Sequence, residues 1–183
     1  MLDNNFLAEF KRVTELNWST YSIDPTIYGF QFQPGTRWNP GLSDQKITEY
    51  EEVLAVRFPN DFRALLSFMN GTDLPTLNIY GSCGYPSRES VGLYSYPRDL
   101  EIVRGRIADA NENRAELAAT MQNQGFDLAI DAGLMPIFAH RYIICTTDRK
   151  RSVVLSIHDS SDAIVYGNSL QEYLEKEFLK SRF

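Results

Sequence analysis

The sequence predicts an α+β domain with a mainly antiparallel central sheet and helices packed against it. Three observations favour this class. Helical spacing of apolar residues dominates the first seventy positions, β-branched runs dominate residues 135–166, and the chain closes on another amphipathic helix. This order differs from the strand–helix alternation of parallel α/β folds. At 183 residues the chain suits one domain, with residues 1–37 as an N-terminal helix and loop extension and residues 38–183 as the core.

The N-terminal part predicts one helix and a long connection. Residues 4–16 carry apolar side chains at helical spacing, so we expect a helix laid on the domain. Residues 17–41 contain three prolines and predict a loop with one short strand at 28–33. A structureless loop of this length is uncommon, so we expect it to pack through aromatic side chains. These are Trp18, Tyr28, Phe30 and Trp38.

Two consecutive amphipathic helices are predicted within residues 42–71. Ser43 or Asp44 can cap the first, because a short side-chain oxygen accepts from the free amides of a first turn. We expect Pro59 to end the first helix and begin the second, where its missing N–H costs nothing. Gly71 is expected in the left-handed conformation just beyond the second helix.

Strand and turn signals follow the helix pair. Short β-like runs occupy residues 76–80 and 91–96 on either side of a Gly-containing turn. Residues 98–124 predict one long helix or two short ones, with weak points at Gly105 and at 111–113.

The strongest strand signals lie in the last third of the chain. They are Met135–Thr147 and Ser152–His158, joined by the charged turn 148–151. A further strand is expected at 163–166, and a capping box, Ser169 with Glu172, begins the last helix.

A series of short motifs runs through most of the chain in a definite order. It consists of Leu42-Ser43, Ile47, Glu51, Leu54, Pro59, Asp61-Phe62, Leu65-Leu66, Asn70-Gly71, Pro136-Ile137-Phe138, His140-Arg141-Tyr142, Ala163-Ile164-Val165-Tyr166, Ser169-Leu170, Tyr173-Leu174 and Phe178. The series resembles the SUKH superfamily over residues 38–180. The resemblance implies an α+β domain that binds other proteins, and many bacterial members are immunity proteins that neutralise a co-encoded polymorphic toxin, often a nuclease. The segment before residue 38 and the region 98–125 are larger than this pattern needs.

Composition excludes some classes of partner. The net charge of −6 and pI of about 5.0 argue against nucleic acid, because phosphate binding needs a basic surface. The same charge permits a basic protein partner, since opposite potentials accelerate encounter. The two cysteines, the absence of a signal-like start and the lack of a membrane-length apolar run predict a reduced, cytoplasmic protein that makes no membrane contact.

Few residues of the sequence indicate a catalytic or metal-binding site. His140 and His158 lie on predicted strands, without the spacing of metal ligands. The stretch around Cys83 lacks the lysine of a phosphate-binding loop and the serine context of a hydrolase. We therefore expect no enzyme activity, no metal and no cofactor. A small hydrolase that uses His140 or Cys83 remains an alternative.

Arg141 is the charged residue of the 140–142 strand triplet. In a strand, His140 and Tyr142 share one face and Arg141 takes the other, where a buried guanidinium requires a carboxylate. Arg141 is therefore either an internal anchor between the sheet and a helix or part of a patch that contacts a partner.

A binding surface is predicted around residues 70–96, because turns between rigid elements often carry recognition and aromatic residues often anchor interfaces. The predicted contact residues are Trp38, Asn70, Asp73, Tyr80, Tyr85, Tyr94 and Arg141. The expected function is stoichiometric neutralisation of a toxin; if that toxin is a nuclease, an acidic face could occupy its basic cleft. The alternative is a regulatory scaffold in signalling or cell-wall control.

Overall fold

A computed structural model describes residues 2–79 and 88–180 of the chain. The elements in chain order are α1 (Asn4–Thr20), β1 (Gly29–Phe32), β2 (Trp38–Pro40), α2 (Asp44–Leu54), α3 (Asn60–Phe68), β3 (Met69–Thr72), β4 (Thr76–Ile79), β5 (Arg88–Ser90), α4 (Leu100–Glu112), α5 (Arg114–Asn123), β6 (Gly133–Phe138), β7 (Arg141–Cys145), β8 (Val154–Ile157), β9 (Ala163–Gly167), α6 (Leu170–Leu174) and a π-helical turn (Glu175–Lys180). The predicted α+β class is confirmed.

The strands of the described residues form three antiparallel sheets. Their strand orders are β1-β4-β5, β2-β3 and β6-β7-β8-β9. In the four-stranded sheet, Met135 lies opposite Ile143 and Leu155 lies opposite both Tyr142 and Val165. An isolated bridge between Leu93 and Phe138 joins the segment before α4 to the end of β6.

The four-stranded sheet carries a different hydrophobic cluster on each face. Ile143 points to the inner cluster, which also contains buried residues of α1, α2, α3 and α6. Its neighbours Tyr142 and Ile144 point to the outer cluster, which contains Leu117 and Met121 of α5. Successive side chains of a strand alternate between faces, so a run of buried residues in β7 serves two cores.

The helix pair begins as predicted but ends differently. Ser43 is the cap of α2, and its Oγ accepts from the Lys46 amide at 3.3 Å. The helix ends at Ala55, in the left-handed conformation with φ 54°, and not at Pro59. The intervening residues carry Phe58 into the core, and Pro59 is then the residue that caps α3.

Gly71 has the predicted left-handed conformation, but its predicted place just beyond the helix is wrong. Helix α3 ends at Phe68 with an extended cap, and Gly71 lies within β3 at φ +64°. A Cβ at this position would lie 2.7 Å from the carbonyl oxygen of Tyr94. Close packing of two backbone segments therefore requires glycine here.

Glu51 joins the helix pair to the β7–β8 connection from a buried position. Its side chain is 1% exposed. The carboxylate accepts from the Phe58 amide at 2.6 Å, lies 2.8 Å from Arg149 Nη1 and pairs with Arg63. A buried carboxylate is stable only when charges and hydrogen bonds satisfy it, so this cluster fixes three parts of the chain together.

Several boundaries were wrong because they depend on partners distant in sequence. Residues 135–147 form two strands, not one, separated by a tight turn in which Ala139 has φ 49°. The 91–96 run pairs only through its bridge, whereas residues 88–90 form β5. The 98–124 region, by contrast, follows the predicted alternative of two helices, which meet at Asn113 within the weak point at 111–113.

The long connection packs through part of its aromatic set. Trp18 and Trp38 are buried in the inner cluster with ring centroids 5.4 Å apart, and Phe30 is partly buried against the same cluster. Tyr28 is 63% exposed, so its predicted packing role is wrong. Phe10 of α1 is also buried in this cluster, so the N-terminal helix contributes directly to the core.

The last helix starts with the predicted cap and continues from α-helical into π-helical geometry at Glu175. Ser169 Oγ accepts from the Glu172 amide at 3.1 Å, while the Glu172 carboxylate accepts from the Asn168 amide at 3.0 Å. The π-helical turn that follows brings Glu177 towards the sheet. Among residues 2–79 and 88–180, none of the helices combines the length and apolar character needed to cross a bilayer.

Candidate functional site

Asp73 is the exposed member of the predicted contact residues that the structure describes. Its Oδ1 accepts from the amides of Arg37 at 2.7 Å and Leu74 at 2.8 Å. The Asp73 amide in turn donates to the Arg37 carbonyl at 3.0 Å. These bonds close the end of the β2–β3 ribbon and leave the carboxylate at the surface.

Asn70 has a structural function in the interior. It is 5% exposed, its Nδ2 donates to the Tyr96 carbonyl at 2.7 Å, and its Oδ1 accepts from the Tyr96 amide at 2.9 Å. The amide side chain thus pairs with a backbone segment as a strand would. This satisfies buried peptide groups just before α4.

Trp38 and Tyr94 are also held inside the fold. Trp38 Nε1 donates to Thr14 Oγ1 at 2.8 Å, and the Tyr94 hydroxyl donates to the Ala139 carbonyl at 3.2 Å. Both residues are less than a tenth exposed. Side-chain contact of a partner with Trp38, Asn70 or Tyr94 does not fit this burial. Tyr80 and Tyr85 lie outside the described residues.

Arg141 has the geometry of an internal anchor. Its Nη1 donates to Ser156 Oγ at 2.7 Å, its Nε lies 3.4 Å from Glu177 Oε2, and its guanidinium carbon lies 3.9 Å from the Tyr166 ring centroid. The side chain connects β7, β8 and the π-helical turn. The predicted carboxylate partner is therefore Glu177, on the last helical segment.

A cleft of about 390 Å³ opens at the end of the four-stranded sheet. The C-terminal half of α4 forms one wall, and the β6–β7 and β8–β9 turns form the other. Phe30 and Tyr142 contribute rings to its inner surface. The cleft is therefore built from four separate regions of the sequence.

Both histidines of the chain lie in this cleft. The rings of His140 and His158 have centroids 3.8 Å apart and are tilted by 34°. Burial, together with the nearby charges of Arg141, His158 and Arg106, lowers the pKa of His140 to about 4. His140 is consequently neutral at pH 7 and presents an aromatic face.

Three carboxylates and one guanidinium complete the lining. Asp109 and Glu112 stand one helical turn apart on α4, and Asp159 faces them from the β8–β9 turn. Asp159 Oδ1 accepts from Ser161 Oγ and from the Ser161 and Asp162 amides, and these bonds lower the pKa of its carboxyl. Ser160 Oγ donates to Glu116, which fastens the turn to α5.

Arg106, an exposed residue of α4, also lines this cleft, and its backbone carbonyl accepts from the Tyr142 hydroxyl at 3.4 Å. Burial raises the pKa of Tyr142 to about 12, and the Arg106 charge opposes this rise. Burial likewise raises the pKa of Tyr94, again opposed by Arg106. The Arg106 charge therefore acts on the hydroxyls of Tyr94 and Tyr142, while Arg106 and the acidic rim residues are all exposed.

The remaining reactive groups are poorly placed for chemistry. Burial raises the pKa of the Cys145 thiol to about 12, so it is not a thiolate at neutral pH. Cys83 lies outside the described residues. Within residues 2–79 and 88–180, no three His, Cys, Asp or Glu side chains lie together in a way that could hold a metal ion.

The negative charge is concentrated in the layer that carries the cleft. Residues 98–131 contain seven carboxylates against four arginines and no lysine, and the β8–β9 turn adds Asp159 and Asp162. The net charge of the whole chain does not reveal this uneven distribution. Counting charge by segment would have found this layer, whereas the pairing of the two histidines depends on strand register and was missed.

Comparison with known proteins gives one positive result. A family model described as SMI1 / KNR4 family (SUKH-1) matches residues 41–176. The matched range includes both helices of the pair, the four-stranded sheet and most of the last helical segment. No curated protein and no solved structure matches the chain.

Proposed function

Because the chain belongs to the SMI1 / KNR4 family (SUKH-1), we propose that it is a non-enzymatic protein-binding domain. The observation that carries the proposal is the family match over residues 41–176, since domains of this family are protein-interaction domains. The family is consistent with two roles, that of an immunity protein and that of a cell-wall regulator.

Of these two roles, we favour an immunity protein that acts in the cytoplasm and neutralises a cognate toxin by stoichiometric binding. The acidic layer formed by α4, α5 and the β8–β9 turn supports this choice. A nuclease binds phosphates through a basic cleft, and an acidic protein face is electrostatically complementary to such a cleft. A regulatory scaffold would use the same fold, but nothing in its role calls for a strongly acidic face.

The test has two steps. The full chain is used as bait, and any partner found is purified and mixed with it to measure stoichiometry and the partner's own activity. We expect a one-to-one complex with a toxin domain, with activity falling linearly to zero at one equivalent. Recovery of cytoplasmic regulators alone would favour the scaffold role. Inactivation by far less than one equivalent would indicate catalysis and would contradict the proposal.

Salt dependence tests the electrostatic part separately. Association of an acidic face with a basic cleft is steered over long range, so the association rate is expected to fall steeply with ionic strength. A rate that does not change with salt would refute the role of the acidic layer while leaving protein binding itself intact.

A further inference from the structure

The cleft between α4 and the two turns has a surface chemistry of its own. At about 30 Å³ per water, its volume of about 390 Å³ equals roughly a dozen waters. This is room for one long side chain with solvent around it. Its inner surface is aromatic, from Phe30, Tyr142 and the two histidine rings, and its rim is acidic.

The rim carboxylates are available for a ligand. In the part of the chain that the structure describes, the Asp109 and Glu112 side chains have no hydrogen-bonding or ion-pair partner. Asp159 uses only its Oδ1 in the turn. With histidines counted as neutral, the lining carries three carboxylates against the single guanidinium of Arg106, so its formal charge favours a cation.

We propose that this cleft is a receptor for an arginine side chain presented by a basic protein partner. The inference rests on the proposed protein-binding function. A guanidinium is planar and weakly hydrated, so it stacks on aromatic faces and offers several donors in a fixed fork. The stacked His140 and His158 rings supply the face, and carboxylates on both walls supply the acceptors.

An anion is the alternative ligand for this cleft, because Arg106 and protonated histidines could attract one. Two features disfavour it. The single Arg106 is outnumbered by three carboxylates that line the same cleft, and the lowered pKa of His140 keeps that ring neutral at pH 7. An approaching anion would also pass Asp109, Glu112 and Asp159 at the rim.

The chain provides its own reporter for this test. Because it contains two histidines and both line the cleft, the ring C–H resonances in an NMR spectrum report the cleft directly. The probe is the blocked peptide acetyl-Gly-Arg-Gly-amide, and the control peptide carries citrulline, which has the same shape but no charge. We expect saturable shifts of both histidine signals with the arginine peptide and much smaller shifts with citrulline.

Two matched double variants complete the design. The double variant Asp109→Asn/Glu112→Gln removes two rim charges. Its dissociation constant for the arginine peptide is expected to rise about tenfold. Glu52→Gln with Asp127→Asn removes the same net charge at exposed positions away from the cleft and should leave the constant unchanged. Retained thermal unfolding temperatures establish that each variant is folded.

The outcomes separate this inference from the proposed function. Absence of saturable shifts, equal shifts with citrulline, or tighter binding of inorganic phosphate would overturn the arginine site. If a cognate partner binds wild type and the Asp109/Glu112 variant equally well, protein binding stands and the cleft assignment fails. If the arginine peptide binds but no protein partner is found, the cleft assignment stands and the proposed function fails.

Discussion

The buried carboxylate of Glu51 leads to a quantitative prediction about the stability of the fold. Replacing Glu51 by Gln keeps the size and one acceptor oxygen but removes the counter-charge of two arginines, whose side chains are 18% and 26% exposed. Removing one partner of a buried ion pair typically costs about 3–5 kcal/mol. Arg63 retains its bridge to Asp44, and Arg149 is partly hydrated, so we expect the lower end. The free energy of unfolding should fall by about 3 kcal/mol.

Urea unfolding followed by circular dichroism at 25 °C measures this loss. For a chain of this size, it corresponds to a fall of about 6–12 °C in the midpoint of thermal unfolding. The matched control is Glu52→Gln, one residue along the same helix but exposed, which should change the unfolding free energy by less than about 0.5 kcal/mol. A loss below about 1 kcal/mol for Glu51→Gln, or one equal to that of the control, would refute the view that the cluster holds the fold together.

Three further predictions concern single positions. The pKa of His140 is lowered from its usual 6.5 to about 4 in the folded protein. As the pH falls, the imidazole is therefore protonated in the unfolded chain before it is protonated in the folded one. The stability of the fold is fully present above pH 6.5 and falls progressively as the pH decreases towards 4. Between pH 7 and 4.5, the free energy of unfolding of wild type should therefore fall by about 1–2 kcal/mol more than that of His140→Gln. This value is already reduced because His140 is partly exposed. Equal losses in the two proteins would contradict the lowered pKa. Gly71→Ala should cost at least about 2 kcal/mol in urea unfolding, since the new Cβ meets the Tyr94 carbonyl at positive φ. Gly105→Ala, in open space on α4, should instead stabilise by about 0.5–1 kcal/mol, and an opposite order of these two variants would argue against the packing described.

Local signals in the sequence predicted the parts of the fold that depend on neighbouring residues. The caps at Ser43 and Ser169, the helix pair and the β7–β8 hairpin follow from short-range rules. The length of α2 could not be predicted in this way. Its end at Ala55 is coupled to burial of Phe58, and burial depends on the rest of the core.

The same distinction applies to the candidate site. The buried position of Glu51 has a local signal, because its spacing of four from Ile47 places it on the buried side of α2. Asn70, Trp38 and Tyr94 were chosen for their residue types, which suit an interface and a polar interior equally well. The His140–His158 contact arises from the pairing of β7 with β8, and no local pattern encodes a register.

The two-faced packing of the four-stranded sheet bears on how this protein could be re-engineered. Side chains on opposite faces of the sheet pack into different clusters, and effects at well-separated sites usually add to within a few tenths of a kcal/mol. A library that randomises the exposed positions of α4 and α5, while keeping the core residues Val103, Leu117 and Met121, can therefore be searched for new binding specificity without repacking either cluster. The sheet thus lets the exposed side of these two helices change in sequence while both clusters stay intact.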